Sequence, residues 1–440
     1  MLSEAENTRL TRVGPGTPMG ELMRRYWHPI AVTTQLEERP VLGVRLLCEK
    51  LVLFRDKQGR LGLTSNRCAH RGMNLVVGIP DEGGIRCPYH GWVYDPEGKC
   101  VEQPFETRGK PERSLKTFQE KCSLKAYKVQ ELGGLIFAYI GPEPAPLLPR
   151  WDILLRDDMM RDVGFGYVHC NWLQCQENAY DPIHFEFLHG NFANYALERL
   201  GRGDLKRRNY MDGKWVYGAV YHQKIQFDPF EYGTIKRRLI NDATEESEPW
   251  RVGAPLIFPN QVRFKTNCEF RVPLDDTTTL NLFYNLYPPE PGEDPKQKRI
   301  PYYKVPITKL DDDDNFSWDE LDSNSGQDSL AWTLQGAISD RTTERLGRSD
   351  EGIIQFRRQL SDEMDKVARG EDPLNVFRDP VKNECLTVDS YVVPIQVRSA
   401  FSAKYSPVLN ARAAKELSTQ NGPNAYSAAE ANEISPLGKS

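Results

Sequence analysis

The stretch CAHRGMNLVVGIPDEGGIRCPYHGW, residues 68 to 92, carries two short Cys–His pairs, Cys68-x-His70 and Cys87-x-x-His90, each followed closely by glycine. The sequence around it runs in short alternating segments. "VRLLCEKLVLFRD", "LGLTS", "GWVYD" and "GGLIFAYIG" read as strands, and "DKQGR" and "DPEGK" as turns between them. The pattern predicts a small all-β unit over residues 41–145, with each Cys–His pair at the tip of a turn and both converging on one site. The proline-rich "GPEPAPLLP" that follows marks a boundary.

Two cysteines and two histidines also suit a structural zinc ion. Zinc sites more often pair like with like, as C-x-x-C and H-x-x-x-H, whereas here each loop supplies one Cys and one His. That division matches a Rieske [2Fe-2S] cluster, in which one iron takes two thiolates and the other two imidazoles. Neutral imidazoles remove negative charge and raise the potential, so such a cluster accepts an electron from a low-potential donor. The glycines of "HRG" and "HGW" would let backbone approach the sulfides. Iron analysis and a visible spectrum separate the two readings, because a zinc protein is colourless.

A chain of 440 residues exceeds one ordinary core, so at least two domains are expected. With 39% hydrophobic and 27% charged residues the composition is that of a soluble globular protein, and no apolar run is long enough to span a bilayer. The first residues lack the apolar segment of a signal peptide. A net charge of −5 argues against binding to nucleic acid or to an acidic membrane surface. Nine scattered cysteines suit a reducing compartment, and the expected location is cytoplasmic.

Four segments are expected. Residues 1–40 form an N-terminal helical segment, with Thr17 as N-cap and Pro18 at the first helical position. Residues 41–145 form the cluster unit, 150–405 a second domain and 406–440 a polar tail, disordered or wrapped on a neighbouring subunit. In the second domain, helical stretches are read around 172 to 189 and 327 to 370. "KWVYGAVYHQKIQFD", "NQVRFKTNCEFRVPL" and "TTLNLFYNLYPPE" are read as long antiparallel strands, giving an α+β domain whose helix packs on the sheet. The acidic run at Asp311 to Asp314 reads as a solvated loop.

A second constellation lies in "NWLQCQENAYDPIHFEFLHG", residues 171 to 190, where His184 and His189 are five positions apart. On a regular helix five residues advance by about 500°, which would turn the rings about 140° away from each other. The pair is therefore either two ordinary polar residues of an amphipathic helix, or two ligands on a helix that is kinked or carries a π-bulge. With a distant carboxylate, two histidines form the facial triad that holds iron(II) and leaves positions open for O2.

Together these motifs resemble the oxygenase (α) subunits of the Rieske non-haem iron oxygenases, over essentially the whole chain. The cluster motif and "DPIHFEFLH", a match to the family's D-x2-H-x4-H, occur in the family's order. The resemblance implies a Rieske domain followed by a helix-grip (START-like) domain with an antiparallel sheet. It implies Cys68, His70, Cys87 and His90 as cluster ligands, and His184 and His189 as ligands of a mononuclear Fe(II). It also implies that Asp181 links His184 to His90 of the partner subunit, and hence a homo-oligomer, a trimer or a pair of trimers. A carboxylate between two imidazoles would fix their tautomers and orientations. For the third iron ligand, "SNSGQDSLAWTLQGAISDRTTERLGRSD" resembles the phthalate dioxygenase-like branch, which points to Asp328, with Ser325 capping its helix; Glu177, Glu186 and Asp340 compete.

Gly14 and Gly16 follow no strand and lack a correctly placed third glycine, and no plant-type C-x4-C-x2-C motif occurs, so a separate NAD(P)H-dependent reductase or ferredoxin is expected as electron donor. The look of the two catalytic tracts is closest to the dehydrodivanillate O-demethylase side of the branch. That implies O2-dependent demethylation of an aryl methoxy acid, with ring hydroxylation of another aryl carboxylate as the alternative. A non-catalytic iron–sulfur carrier is the second reading from a different class. The basic group Arg199, Arg202, Lys206, Arg207 and Arg208 reads as a solvated loop, with binding of a substrate carboxylate or docking of an acidic reductase as the alternatives. His28, His169 and His222 lack partner spacing, and Cys170 and Cys175 read as small buried hydrophobes.

Overall fold

A computed structural model of the chain describes residues 1–106, 108, 118–206, 208–211, 214–217, 221–391 and 405–420. Helix α1 (Glu4–Thr11) is started by Ser3 and Glu6 in a capping box, and α2 (Pro18–Met23) by Thr17, whose side chain accepts the Gly20 N–H. Both helices pack toward the C-terminal half of the chain, where Arg9 of α1 pairs with Asp365 at 2.5 Å.

The first sheet is antiparallel and six-stranded, in the order β1 (Trp27–Val32), β10 (Leu135–Tyr139), β9 (Ala126–Leu132), β4 (Leu61–Ser65), β3 (Glu49–Arg55) and β2 (Val41–Leu46). A four-stranded sheet beside it carries the cluster loops: β5 (Ile79–Asp81), β6 (Gly84–Arg86), β7 (Val93–Tyr94) and β8 (Cys100–Glu102). The run read as one strand, "VRLLCEKLVLFRD", is a hairpin. Leu47 and Cys48 turn it with φ of 47° and 68°, a left-handed pair without glycine or asparagine. Tertiary contact holds that turn: the Leu47 and Cys48 N–H groups donate to the carbonyls of Pro273 and Leu274, at 3.1 and 2.8 Å.

The large sheet has eight strands in the order β14 (His222–Phe230), β15 (Gly233–Ile240), β16 (Ala254–Ile257), β17 (Gln261–Phe264), β18 (Asn267–Asp275), β19 (Thr278–Tyr287), β11 (Met160–Val168) and β20 (Tyr302–Lys304). All neighbours are antiparallel except β11 and β20. "NQVRFKTNCEFRVPL" is thus a hairpin of two strands, and "KWVYGAVYHQKIQFD" divides between β13 (Lys214–Tyr217), which pairs with β12 (Arg208–Met211), and β14.

Two readings of helices need correction. The stretch 172 to 189 is broken: α3 (Trp172–Tyr180) ends at Asp181, because Pro182 excludes the helical conformation at the residue before it. The stretch 327 to 370 is two helices, α5 (Asn324–Leu334) and α6 (Glu351–Ala368), separated where Gly336 adopts a φ of 88°. Helix α6 buries Ile353, Phe356, Leu360, Met364 and Val367, a single stripe at helical spacing. Its Phe356 stacks on Tyr180 with ring centres 4.4 Å apart, and a Cβ on Gly352 would lie 2.3 Å from the Phe227 ring of β14. The long helix is thereby gripped between α3 and the sheet. The fold is α+β, as expected. The segment read as a polar tail begins with a helix, α7 (Pro407–Gln420); Ser406 before it bonds the buried Asp162, and Arg412 pairs with Glu293 at 2.7 Å.

Candidate metal centres

The two Cys–His loops are built alike. The Cys68 carbonyl accepts the N–H of Gly72 and the Cys87 carbonyl that of Gly91, at 2.9 and 3.0 Å. One residue further on, the carbonyls of Met73 and Trp92 accept the N–H of Cys68 and Cys87. Gly72 and Gly91 occupy the same left-handed position, with φ of 70° and 76°. That backbone shape favours glycine, and a Cβ on Gly72 would meet no protein atom within 4 Å.

The thiols of Cys68 and Cys87 are buried, while His70 and His90 stand exposed at the tip with ring centres 4.4 Å apart. His70 stacks on Trp92 at 4.5 Å and 12°. Burial raises the Cys87 pKa, and the backbone N–H groups of Tyr89 and His90 work against that by bonding the sulfur. Tyr94 accepts the Ala69 N–H at 3.1 Å, which leaves its own proton for Cys68 Sγ at 3.2 Å. Burial, and then the bond to Cys68, push the phenol up, so it stays a donor. Buried thiols furnished with donors, facing an exposed imidazole pair, fit a cluster ligated by sulfur on one side and nitrogen on the other. Tyr94→Phe removes one donor, worth about 1 kcal/mol, and should lower the midpoint potential by about 50 mV in a redox titration. An unchanged potential would show that the hydroxyl does not reach a bound thiolate.

The second centre starts where α3 stops. After Asp181 the chain makes one helical turn, His184–Glu186, then a π-helix, Phe187–Phe192, before resuming as α4 (Ala193–Arg199). A π-helix bonds i to i+5, so residues five apart come onto one face. The His184 and His189 rings accordingly lie 5.0 Å apart, centre to centre. The distorted helix expected from their spacing is present.

Asp328 comes from α5. The cap is Ser323, whose Oγ accepts the Gly326 N–H at 2.9 Å, and not Ser325, so Asp328 lies beyond the first turn. A Cβ on Gly326 would fall 1.9 Å from the Glu320 carbonyl oxygen, so glycine there lets α5 start tight against the preceding loop. The closest approaches are 3.1 Å from His189 Nε2 to Asp328 Oδ1 and 3.9 Å from His184 Nε2 to the same oxygen. One ligand atom from each of the three residues falls within 4.8 Å of the others.

Both imidazoles present Nε2 to that point. Gln327 Nε2 donates to the Leu321 carbonyl at 2.7 Å, which turns its Oε1 toward His189 Nδ1 at 2.8 Å. His189 Nδ1 thus carries the proton and Nε2 the lone pair. His184 Nδ1 is buried without a hydrogen bond and has Asp181 Oδ2 at 3.6 Å; Asp181 Oδ1 accepts the Ile183 N–H at 2.7 Å. Burial lowers the His184 pKa and keeps the ring neutral, as a metal ligand must be. Burial by itself would raise the Asp328 carboxyl, but the two imidazoles, when protonated and with His189 first, hold it below its ordinary value. A metal's charge takes that place when both rings are neutral ligands. The donor set of two neutral imidazoles and one carboxylate fits a facial triad for iron(II).

Gln327 was not singled out in the sequence, although it adjoins Asp328; its partner is 138 positions away in the chain. Gln327→Leu should weaken mononuclear iron binding by about 10- to 100-fold, read by metal titration, with the cluster spectrum unchanged. Retained iron affinity would remove the amide from the site.

The competing carboxylates have other partners. Glu177 is clamped by Arg341 and Arg357, both at 2.6 Å; Glu186 bonds His222; Asp340 caps the exposed turn at Thr342. Of the unassigned histidines, His28 is buried 2.8 Å from the Met23 carbonyl and His169 is exposed. Cys170 and Cys175 are buried, with sulfurs 3.5 Å apart. In the basic group, Arg199 lies over the Trp318 ring at 4.5 Å, Arg202 pairs with Asp322 and Lys206 with Glu198. Arg207 and the Arg208 side chain lie outside the described residues. A cavity of about 510 Å³ lined by Trp27, Lys128, Pro146 and Asn383 includes none of these groups.

Two family models match the chain: the Rieske [2Fe-2S] domain over residues 26–128, and a domain described as LigXa C-terminal domain like over residues 317–400. The chain is 41% identical over 388 residues, 88% of its length and 86% of the relative's, to the 5,5'-dehydrodivanillate O-demethylase oxygenase subunit of Sphingobium sp. (strain NBRC 103272 / SYK-6). It is 43% identical to the 3-chlorobenzoate-3,4-dioxygenase oxygenase subunit of Comamonas testosteroni, covering 80% of this chain and 79% of that one. To the phthalate 4,5-dioxygenase oxygenase subunit of Pseudomonas putida it is 30% identical, covering 85% and 89%. The fold is similar to that of Pseudomonas putida CBB5 NdmA, with a TM-score of 0.53 at 19% identity, covering 80% of this chain and 94% of that one.

Proposed function

The chain belongs to the Rieske non-haem iron oxygenases as an oxygenase (α) subunit of the phthalate dioxygenase-like group, and on that premise we propose that it O-demethylates an aryl methoxy acid. The coarser activity is that of a terminal oxygenase, an oxidoreductase acting on aromatic compounds within a multicomponent system, which sets aside the reading as a non-catalytic carrier. The observation that carries the finer reading is the 41% identity, over 88% of the chain, to a relative named for demethylating dehydrodivanillate. Oxygen insertion into a methoxy C–H bond gives a hemiacetal, which collapses to a phenol and formaldehyde.

Cys68, Cys87, His70 and His90 would hold the cluster, and His184, His189 and Asp328 the iron. When bound, the cluster supplies single electrons and the iron the place where O2 meets the substrate. Gln327 keeps the His189 imidazole turned so that its Nε2 faces Asp328, and Asp181, 3.6 Å from His184 Nδ1, would do the same for His184. Asp181 is 29% exposed at its side chain, which leaves room for a second imidazole. We assign that place to His90 of the partner subunit, which makes the active unit a homotrimer or hexamer. A separate NAD(P)H-dependent reductase or ferredoxin would deliver the electrons.

The second reading, ring dioxygenation of an aryl carboxylate, is favoured by the 43% identity to a chlorobenzoate dioxygenase subunit. Product analysis on a panel of methoxylated and unmethoxylated benzoic acids, with a reductase supplied, separates the two. Formaldehyde equimolar with O2 consumed supports demethylation. A dihydrodiol without formaldehyde replaces it.

A further inference from the structure

Two basic side chains are buried beside the proposed iron ligands, and among the described residues neither is in ion-pair contact with a carboxylate. Lys236 and Arg238 stand two residues apart on β15, so their side chains share one face of the sheet. They are 6% and 9% exposed. Lys236 Nζ donates to the Ala179 carbonyl at 2.6 Å, and Arg238 Nη2 to the Tyr391 hydroxyl at 2.8 Å. Among the described residues neither has a carboxylate within 4.0 Å, whereas Arg263, Arg271, Arg341 and Arg357, buried to a similar degree, each have one. Asp181 and Asp328 are turned to the two histidines, and Glu186 is taken by the backbone N–H and Nδ1 of His222.

Their position is informative. The Arg238 guanidinium lies 4.6 Å and the Lys236 ammonium 5.9 Å from the centre of the Phe185 ring, which itself sits 4.8 Å from His184 and 5.0 Å from His189. One aromatic ring is therefore shared by both cations and both histidines. Burial, reinforced by the Arg238 charge, pushes Lys236 down to about 7. Burial and the charge of Arg238 depress His222 to about 4 despite its contact with Glu186. An unpaired buried cation is costly, and a site holding two of them is arranged to gain from an anionic ligand.

We propose that Lys236 and Arg238 are specificity-determining residues that receive the carboxylate of an aryl acid and so place its ring beside His184, His189 and Asp328. This deepens the reading of the substrate as an aromatic acid and holds whether the product is a phenol or a diol.

The test measures binding to enzyme loaded with both metal centres, by calorimetry, using 3-methoxybenzoate, phthalate and the methyl ester of each. The native enzyme is expected to bind the acids at least tenfold more tightly than the esters. In K236Q/R238Q the acids should weaken by at least about tenfold, the loss of charge-assisted hydrogen bonds, with ester binding, iron content and cluster spectrum held. R238K, which keeps the charge, should retain part of the preference for acid. Equal weakening of acid and ester, loss of iron from the glutamine variants, or native binding that ignores the carboxylate would each overturn the assignment. Acid binding through this pair without formaldehyde release would remove the demethylation reading and leave this one standing.

Discussion

Asp328→Ala should yield protein that keeps the colour of the cluster but binds no mononuclear iron, with product formation at background. The expectation follows from how the site is assembled. Among the described residues Asp328 Oδ1 is the one carboxylate oxygen within 4.0 Å of both Nε2 atoms, 3.1 and 3.9 Å away. The other candidates are committed elsewhere: Glu177 between two arginines and Glu186 to His222. Glu177 cannot swing in without leaving the buried Arg341 unpaired, which costs several kcal/mol, and Glu186 cannot without giving up its bonds to the backbone N–H and Nδ1 of His222. The cluster loops belong to a separate sheet, so their spectrum serves as an internal control for folding. Iron analysis gives the direct readout. Full iron occupancy and turnover in the variant would overturn Asp328 as a ligand.

Asp181→Asn should give the opposite phenotype, with both centres filled and turnover reduced by about 100-fold. The asparagine can keep the bond from the Ile183 N–H to Oδ1, so the break between α3 and the His184 turn survives. What it loses is a carboxylate able to accept from two imidazoles at once. His184 Nδ1, buried and otherwise without a partner, would no longer have its tautomer fixed. The measurement is single turnover: cluster reduced, substrate and O2 added, and the rate of cluster re-oxidation followed optically. A native rate would exclude Asp181 from the electron path, and lost iron would make it a structural support for His184 instead.

Some of this was open to reading in one dimension. Cys68, His70, Cys87 and His90 are close in sequence, and the loops that hold them are closed by local hydrogen bonds and left-handed glycines, so spacing carries the information. The same holds for His184 and His189, whose five-residue step predicts the distorted helix found as Phe187–Phe192. Local rules failed where a distant partner decides. The turn at Leu47 and Cys48 has no turn residue because β18 supplies its hydrogen bonds. Helix α5 starts at Ser323 and not near Ser325 because Gly326 packs on the Glu320 carbonyl.

What the sequence by itself determined is therefore the chemistry that short spacings encode: the two Cys–His pairs proposed to hold the cluster, the histidine pair, the α+β class and, by family likeness, Asp328 as the proposed third iron ligand. Only the tertiary structure decided what surrounds them. It turned Gln327 onto His189, gave Glu177 to two arginines, and set Lys236 and Arg238 beside Phe185 with no carboxylate in ion-pair contact among the described residues. The physical reason is that metal-binding loops are closed by bonds within a few residues, whereas the tautomer of a ligand or the charge of a pocket is fixed by side chains that meet only when strands and helices far apart in sequence pack together.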